Sequence, residues 1–287
     1  MTGAAKTDET LKDGVFDVQV QAMRLVREVE MFQWEEKVET RTEKKLGGGE
    51  DRIKSYSYPK VWSSRWIDSS KFEGTERSAH VNPPSMQFES GVETAQKATL
   101  GAYRLHSGLV AQMTSEAPVE VRPGMAPESV RPQTREMPGG LYIGADPAKP
   151  AIGDMKVVFT QTPPGDVSVL ARQGGGGLEA YLSAKTGKAI HMLLDGSVPA
   201  EEMFTVMKQR AAMLAWILRF VGFLLMFIGL AALFRPLAVL ADVVPMFGTI
   251  VGYGTGLVAG ILAASFTLIT IAVCWFAVRP LVSVPLL

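Results

Sequence analysis

The sequence predicts an α+β membrane protein: a β-rich extramembrane domain of antiparallel strands, followed by a C-terminal transmembrane helical hairpin and a truncated third span. Three observations predict it. Residues 246–278 contain no Asp, Glu, Lys, Arg or His. Residues 211–234 are apolar except for Arg219. Residues 15–39 interleave Val15, Val18, Val20, Met23, Leu25, Val29, Met31 and Trp34 with Arg24, Arg27, Glu28 and Glu30, the alternation of half-buried strands. The 29 basic and 29 acidic residues cancel, so net charge gives no reason to expect nucleic acid or an acidic partner. Nearly all of that charge lies before residue 211.

The polar part is expected to span residues 1–196, long enough for a core of its own. Gly47-Gly48-Gly49 reads as a hairpin connection between residues 35–45 and a strand region at 56–67, and a further β-rich stretch follows at 86–110. Residues 114–153 are Pro-rich with few aromatics, which predicts a loop or linker outside the core. Strands are expected again at 156–160, 167–172 and 178–183. Gly174 to Gly177 lacks the Lys-Ser/Thr of a phosphate loop and reads as a hairpin turn. Cys274, the single cysteine, lies in the apolar run, so no disulfide can staple the polar domain.

A juxtamembrane helix is expected at 197–212, with Ser197 as cap, Pro199 in the first turn, and Glu201 and Glu202 where the helix dipole favours negative charge. The transmembrane region follows at 213–287, with spans at about 213–238 and 249–278 and a third starting at about 281. Lys208, Arg210, Trp216, Arg219, Arg235, Trp275 and Arg279 are the expected membrane-interface anchors; Arg219 reaches the headgroups by snorkelling. Gly248, Gly252, Gly256 and Gly260 recur every four residues, a stripe along which a second helix can approach closely.

Signals for chemistry are sparse. His80, His106 and His191 lie far apart in sequence, without a metal-ligand spacing, and no Gly-x-Ser-x-Gly elbow occurs. No catalytic, cofactor-binding or metal-ligating residue is assigned. Trp62 and Trp66, with Ser64 between them, are expected to share one strand face, either packed in the core or forming a partner or membrane-interface face close to the tether.

The chain resembles the LUMA family, the transmembrane protein 43 family. The resemblance is carried in order by Val29-Glu-Met-Phe-Gln-Trp-Glu35, Trp62-Ser-Ser with residues 69–72, Asn82-Pro83, Met86 and Glu89-Ser90. It continues through Leu100-Gly101, Ser107-Gly108-Leu109, Gly153-Asp154-Met155-Lys156-Val157 and Ala171-Arg172-Gln173. The membrane part carries it further in Ala200-Glu-Glu-Met-Phe204, residues 216–230 with Arg219 and Gly222, and residues 275–281 ending in Arg279-Pro280-Leu281. The resemblance implies a four-span plan, from which this chain lacks the N-terminal span and part of the last, so it is expected to be a fragment. It also implies a non-enzymatic membrane-organising scaffold that self-associates and contributes to nuclear envelope or endomembrane organisation.

The partners so implied are the lipid bilayer, a second copy, and emerin-like or lamin-like proteins in a eukaryote. No nucleic acid partner and no cofactor are expected. The implied location is the endoplasmic reticulum or inner nuclear membrane, or the cell membrane in a bacterium, with the β domain on the extracytosolic side. Charge alone argues the reverse orientation, because Lys208, Arg210 and Arg219 all lie on the β-domain side of the first span. The alternative function is a lipid-handling protein or an enzyme of membrane lipid metabolism.

Overall fold

The computed structural model describes residues 1–44, 50–183, 187, 189–241 and 245–278, and gives the backbone alone at 44, 50, 234–241, 245–253, 255 and 275–278. The first strands are β1 (Thr2–Lys6), β2 (Thr10–Lys12), β3 (Gln19–Gln21), β4 (Arg24–Trp34), β5 (Lys37–Lys44), β6 (Glu50–Ser57) and β7 (Lys60–Ser63). Then come β8 (Gly91–Thr94), β9 (Thr99–Leu100), β10 (Tyr103–Arg104), a single helical turn α1 (Ser107–Val110) and β11 (Ala117–Pro118). The remaining strands are β12 (Thr134–Met137), β13 (Gly140–Ile143), β14 (Met155–Thr162), β15 (Gly165–Leu170), β16 (Arg172–Gly174), β17 (Gly177–Glu179), β18 (Tyr181–Leu182), β19 (Ala189–Ile190) and β20 (Met192–Asp195). Two long helices end the described chain, α2 (Ala200–Ala241) and α3 (Pro245–Val278).

The chain divides into two units, Met1–Glu39 with Ser55–Phe204, and Thr40–Lys54 with Thr205–Leu287. In the first, β4 is the spine of a sheet ordered β12-β13-β14-β4-β7. One edge of β4 pairs antiparallel with β14 over Arg24 to Met31; the other edge is shared by β8, opposite Arg24–Arg27, and β7, opposite Met31–Trp34. A second sheet runs β16-β17-β10-β9-β1-β15-β20, antiparallel except for the β10–β17 pair. Its middle strand is β1, whose Thr2–Ala5 pairs with β15 while Ala5 and Lys6 pair with β9.

Strand alternation places the core. On β4, Leu25, Val29 and Met31 are buried, and on β14 so are Met155, Val157 and Phe159. They pack with Ala5, Leu100, Val167, Val169 and Leu193 of the other sheet in one apolar cluster completed by Phe16, Leu109, Val110, Met113 and Leu141. Burial of each large side chain here contributes about 1.5–3 kcal/mol.

Several local expectations need correction. Residues 114–153 do not form a linker: β11, β12 and β13 lie within them, and Leu141, Tyr142 and Ile143 are buried. The prolines there are accommodated in short turns and at strand ends, where no ladder hydrogen bond is lost. The stretch expected as strand up to Val110 turns helical at Ser107, where Leu109 and Val110 enter the core. The partner of β5 begins at Glu50, earlier than residue 56. The connecting Gly47-Gly48-Gly49 lies outside the described residues, whereas Gly175 and Gly176, at φ 56° and 78°, make the tight turn between β16 and β17.

Helix α2 starts at Ala200, three residues after Ser197; the carbonyl of Pro199 accepts from the amides of Glu202 and Met203. It continues through Pro236 to Ala241, and α3 begins on Pro245, where a missing amide costs nothing. The third span expected from residue 281 lies outside the described residues.

Candidate membrane anchor and polar surface

Two stretches, Ala200–Leu233 and Gly256–Cys274, are long and apolar enough to cross a bilayer, and their side chains are almost wholly unburied by protein. Leu214, Leu218, Leu225, Ile228, Leu257, Ile261 and Leu268 all point outward. A surface of that character is stable against hydrocarbon. Between Trp216 and Arg235 the helix rises about 28 Å at 1.5 Å per residue, close to the ~30 Å hydrocarbon core. Two hydroxyls on α3 are satisfied within the helix: that of Ser265 donates to the carbonyl of Ile261 (2.9 Å) and that of Thr270 to Phe266 (2.8 Å).

Arg219 lies one turn inside Trp216, and its guanidinium carbon is 5.0 Å from that indole centroid. A helical side chain leans towards the helix N-terminus, here towards the Trp216 end, so the charge is carried to the interface. Lys208, Arg210 and Arg235 lie on α2 and Trp275 on α3. Arg279 lies outside the described residues.

Small residues line the buried part of α3. Ala259 and Ala263 are completely buried, and a Cβ at Gly260 would sit 3.8 Å from Phe227 of α2. At Gly256 a Cβ would meet nothing within 4 Å among the described residues. Gly248 and Gly252 lie on the same helix where the backbone alone is described.

Trp62 and Trp66 do not share a strand face. Strand β7 stops at Ser63, whose hydroxyl donates to the carbonyl of Arg65 (2.8 Å) and turns the chain. Trp62 packs on Phe32 (centroids 5.1 Å apart) and Tyr142 (6.2 Å), with the Lys156 ammonium 4.1 Å over its ring. Trp66 is 42% exposed, and its indole donates to the carbonyl of Pro83 at 2.8 Å. It stands between two open hollows. One, of about 570 Å³, includes Asp68, Ser69, Arg77 and Asn82; the other, of about 420 Å³, includes Arg65, Met86 and Glu89.

Polar side chains that sequence reasoning did not single out hold this surface in place. Asn82, 6% exposed, accepts from the Trp34 amide (2.7 Å) and donates to the carbonyls of Trp34 (2.9 Å) and Ile67 (3.0 Å). Gln33, fully buried, donates to the Arg65 carbonyl (3.0 Å) and accepts from the Ile67 amide (2.8 Å). The Glu36 carboxylate accepts from the amides of Glu73 and Gly74 and from the Tyr58 hydroxyl, each at 2.9 Å. Desolvation, then that bond to Glu36, raises the Tyr58 hydroxyl above its ordinary value. Burial and a 2.5 Å bond to Asp154 do the same, more strongly, to Tyr142.

A buried ion pair is the other feature missed. Arg27, named from the sequence only among the polar residues interleaved along β4, lies on the core face with Leu25, Val29 and Met31, 8% exposed. Its guanidinium pairs with Asp13, donates to the carbonyl of Glu89 at 2.9 Å, and lies 5.7 Å from the Phe16 centroid. Gly91 faces it across the ladder, and a Cβ there would come within 3.1 Å of the guanidinium.

The histidines stay apart in space. His80 stacks on Tyr58 (4.1 Å) and meets Trp34 edge-on, His106 precedes α1, and the buried Nε2 of His191 has no partner. Among the described residues no group of three or more His, Cys, Asp or Glu could hold a metal ion.

A β-rich unit of two sheets followed by two apolar helices defines an α+β membrane protein. The sequence profile of the family described as Transmembrane protein 43 matches residues 31–280. Relatives include Transmembrane protein 43 of Rattus norvegicus and of Homo sapiens, each 32% identical over 289 residues, covering 97% of this chain and 70% of the relative. The Transmembrane protein 43 homolog of Drosophila melanogaster is 28% identical over 292 residues, covering 100% of this chain and 76% of its own. No solved structure matches. The chain belongs to the Transmembrane protein 43 family.

Proposed function

We propose that this chain is a non-enzymatic membrane-organising scaffold that self-associates through its transmembrane helices and contributes to endomembrane or nuclear envelope organisation. The observation that carries the self-association is the division of labour on α3. Ala259 and Ala263 are completely buried beside Gly260, whose built Cβ would meet Phe227 of α2, while a Cβ at Gly256 meets nothing within 4 Å among the described residues. In hydrocarbon, helices associate through close backbone approach, and an open glycine stripe supplies it. Emerin-like or lamin-like proteins and lipid are the further partners of this reading, with the β-rich unit on the extracytosolic side.

Gly256→Leu tests the association, with Gly254→Leu as control because it too meets nothing within 4 Å but lies off the stripe. In detergent micelles Gly256→Leu is expected to lower the crosslinked dimer several-fold and leave the thermal melt of the monomer unchanged; Gly254→Leu is expected to change neither. Equal dimer in all three proteins would overturn the helix-mediated scaffold. Orientation is checked by protease protection in sealed vesicles, and cleavage of the β-rich unit from the cytosolic side would reverse it.

A further inference from the structure

The β5–β6 ribbon stands apart from both larger sheets, and along it Tyr56 alone among the described side chains is partly buried. Every residue of Lys37–Glu43 is exposed, Val38 is 45% exposed, and Ile53 on β6 is 46% exposed. Among the described residues no third strand pairs with β5, so its outer edge presents free backbone donors and acceptors. An isolated two-stranded ribbon is marginal in water, and a free edge invites another strand.

The sequence of that edge specifies which strand. If β5 pairs antiparallel with a second β5 about a two-fold axis at Thr40, Lys37 falls opposite Glu43, Glu39 opposite Arg41, Val38 opposite Thr42, and Thr40 opposite Thr40. One face of the new ladder then carries only opposite-charge pairs, and the other only β-branched pairs. Both kinds stabilise a cross-strand contact. Moving the axis to Arg41 sets Glu39 against Glu43 and Arg41 against itself; moving it to Glu39 sets Lys37 against Arg41 and Glu39 against itself. Charge excludes these odd-centred registers; axes at Val38 and Thr42 also oppose unlike charges but pair a shorter part of β5, so the register centred on Thr40 is the one that pairs every charged residue from Lys37 to Glu43. The intrastrand ion pairs, Lys37 with Glu35 (3.7 Å) and Arg41 with Glu43 (3.5 Å), are largely exposed and contribute too little to prevent re-pairing.

We propose that β5 is a docking edge for a second copy of this chain, joining two ribbons into a four-stranded sheet β6-β5-β5-β6 through an isologous contact centred on Thr40. This contact is separate from the glycine stripe on α3 and needs no residue of it. Directly opposed residues have Cα atoms about 4.5–5.5 Å apart, within disulfide reach. In the same register two Thr42 residues stand about 14 Å apart along the ladder.

The test uses the full chain in detergent micelles, with Cys274→Ser removing the native thiol and copper phenanthroline as oxidant. Thr40→Cys is expected to form disulfide dimer at least tenfold faster than Thr42→Cys. Glu39→Arg or Arg41→Glu, each creating two like-charge contacts across the axis, is expected to lower Thr40→Cys crosslinking at least fivefold. The double swap Glu39→Arg with Arg41→Glu re-forms both pairs and is expected to restore it. Equal rates at positions 40 and 42, or no rescue by the double swap, overturns the proposal. Gly256→Leu changes the total dimer but not the ratio between the two cysteine positions, so failure of the helix contact is read separately.

Discussion

Replacing Arg27 with methionine keeps most of the side-chain volume on the core face of β4 and removes the charge. Asp13 would then be left with its carboxylate 7% exposed and without its cation. Breaking a buried pair on one side costs about 3–5 kcal/mol. Here the lower end applies, because the other Asp13 oxygen still accepts the amides of Val15 (3.0 Å) and Phe16 (2.6 Å). The expected loss is about 3 kcal/mol, or roughly 6–12 °C in Tm for a domain of this size. Arg27→Lys keeps the charge but loses the Nε bond to Glu89, and is expected to fall between the two. The assay is thermal unfolding of the chain in detergent by tryptophan fluorescence, with Trp216 and Trp275 replaced by Phe so that only the tryptophans of the β-rich unit report. An Arg27→Met protein melting within 2 °C of its parent would refute the reasoning, since the pair would then be replaceable by apolar packing.

Two further outcomes follow from local geometry. A Cβ at Gly140 would lie 2.3 Å from the Val157 carbonyl across the β13–β14 ladder, so Gly140→Ala is expected to cost about 1–3 kcal/mol, whereas Gly165→Ala, with nothing within 4 Å, should leave the melt unchanged. Desolvation of Asp195 is outweighed by hydrogen bonds from Thr114 and Ser115 to its carboxylate, which hold its pKa below the usual carboxylate value. A depressed carboxylate contributes its stability above the unfolded-state pKa, about 3.9, and loses it as pH falls through the folded value. Asp195→Asn should therefore flatten the Tm-against-pH curve on the acid side of about pH 4, and an unchanged acid limb would refute the assignment.

The sequence by itself determined the features that repeat locally. An uncharged run from 246 to 278 admits a membrane helix, and alternation through Leu25, Val29 and Met31 places β4 against a core, because both signals are periodic along the chain. The turn at Gly175-Gly176 was legible for a similar reason, since paired glycines supply the positive φ that a two-residue hairpin needs. Tertiary structure decided whatever depends on a partner distant in sequence. Arg27 shares the parity of Leu25, Val29 and Met31, but what lets a charge stand on that face is visible only when Asp13, Glu89 and the space above Gly91 are brought around it. Residues 117–143 look like a linker until β14 offers them an edge, and Trp62 and Trp66 look like neighbours until the turn at Ser63 separates them. On α3 the glycine stripe was visible as spacing, but only the structure distinguished Ala259 and Ala263, which are completely buried, from Gly256, where a Cβ would meet nothing within 4 Å among the described residues. A periodic pattern fixes which face of an element is apolar, whereas the neighbour that covers that face is chosen by contacts no local pattern encodes.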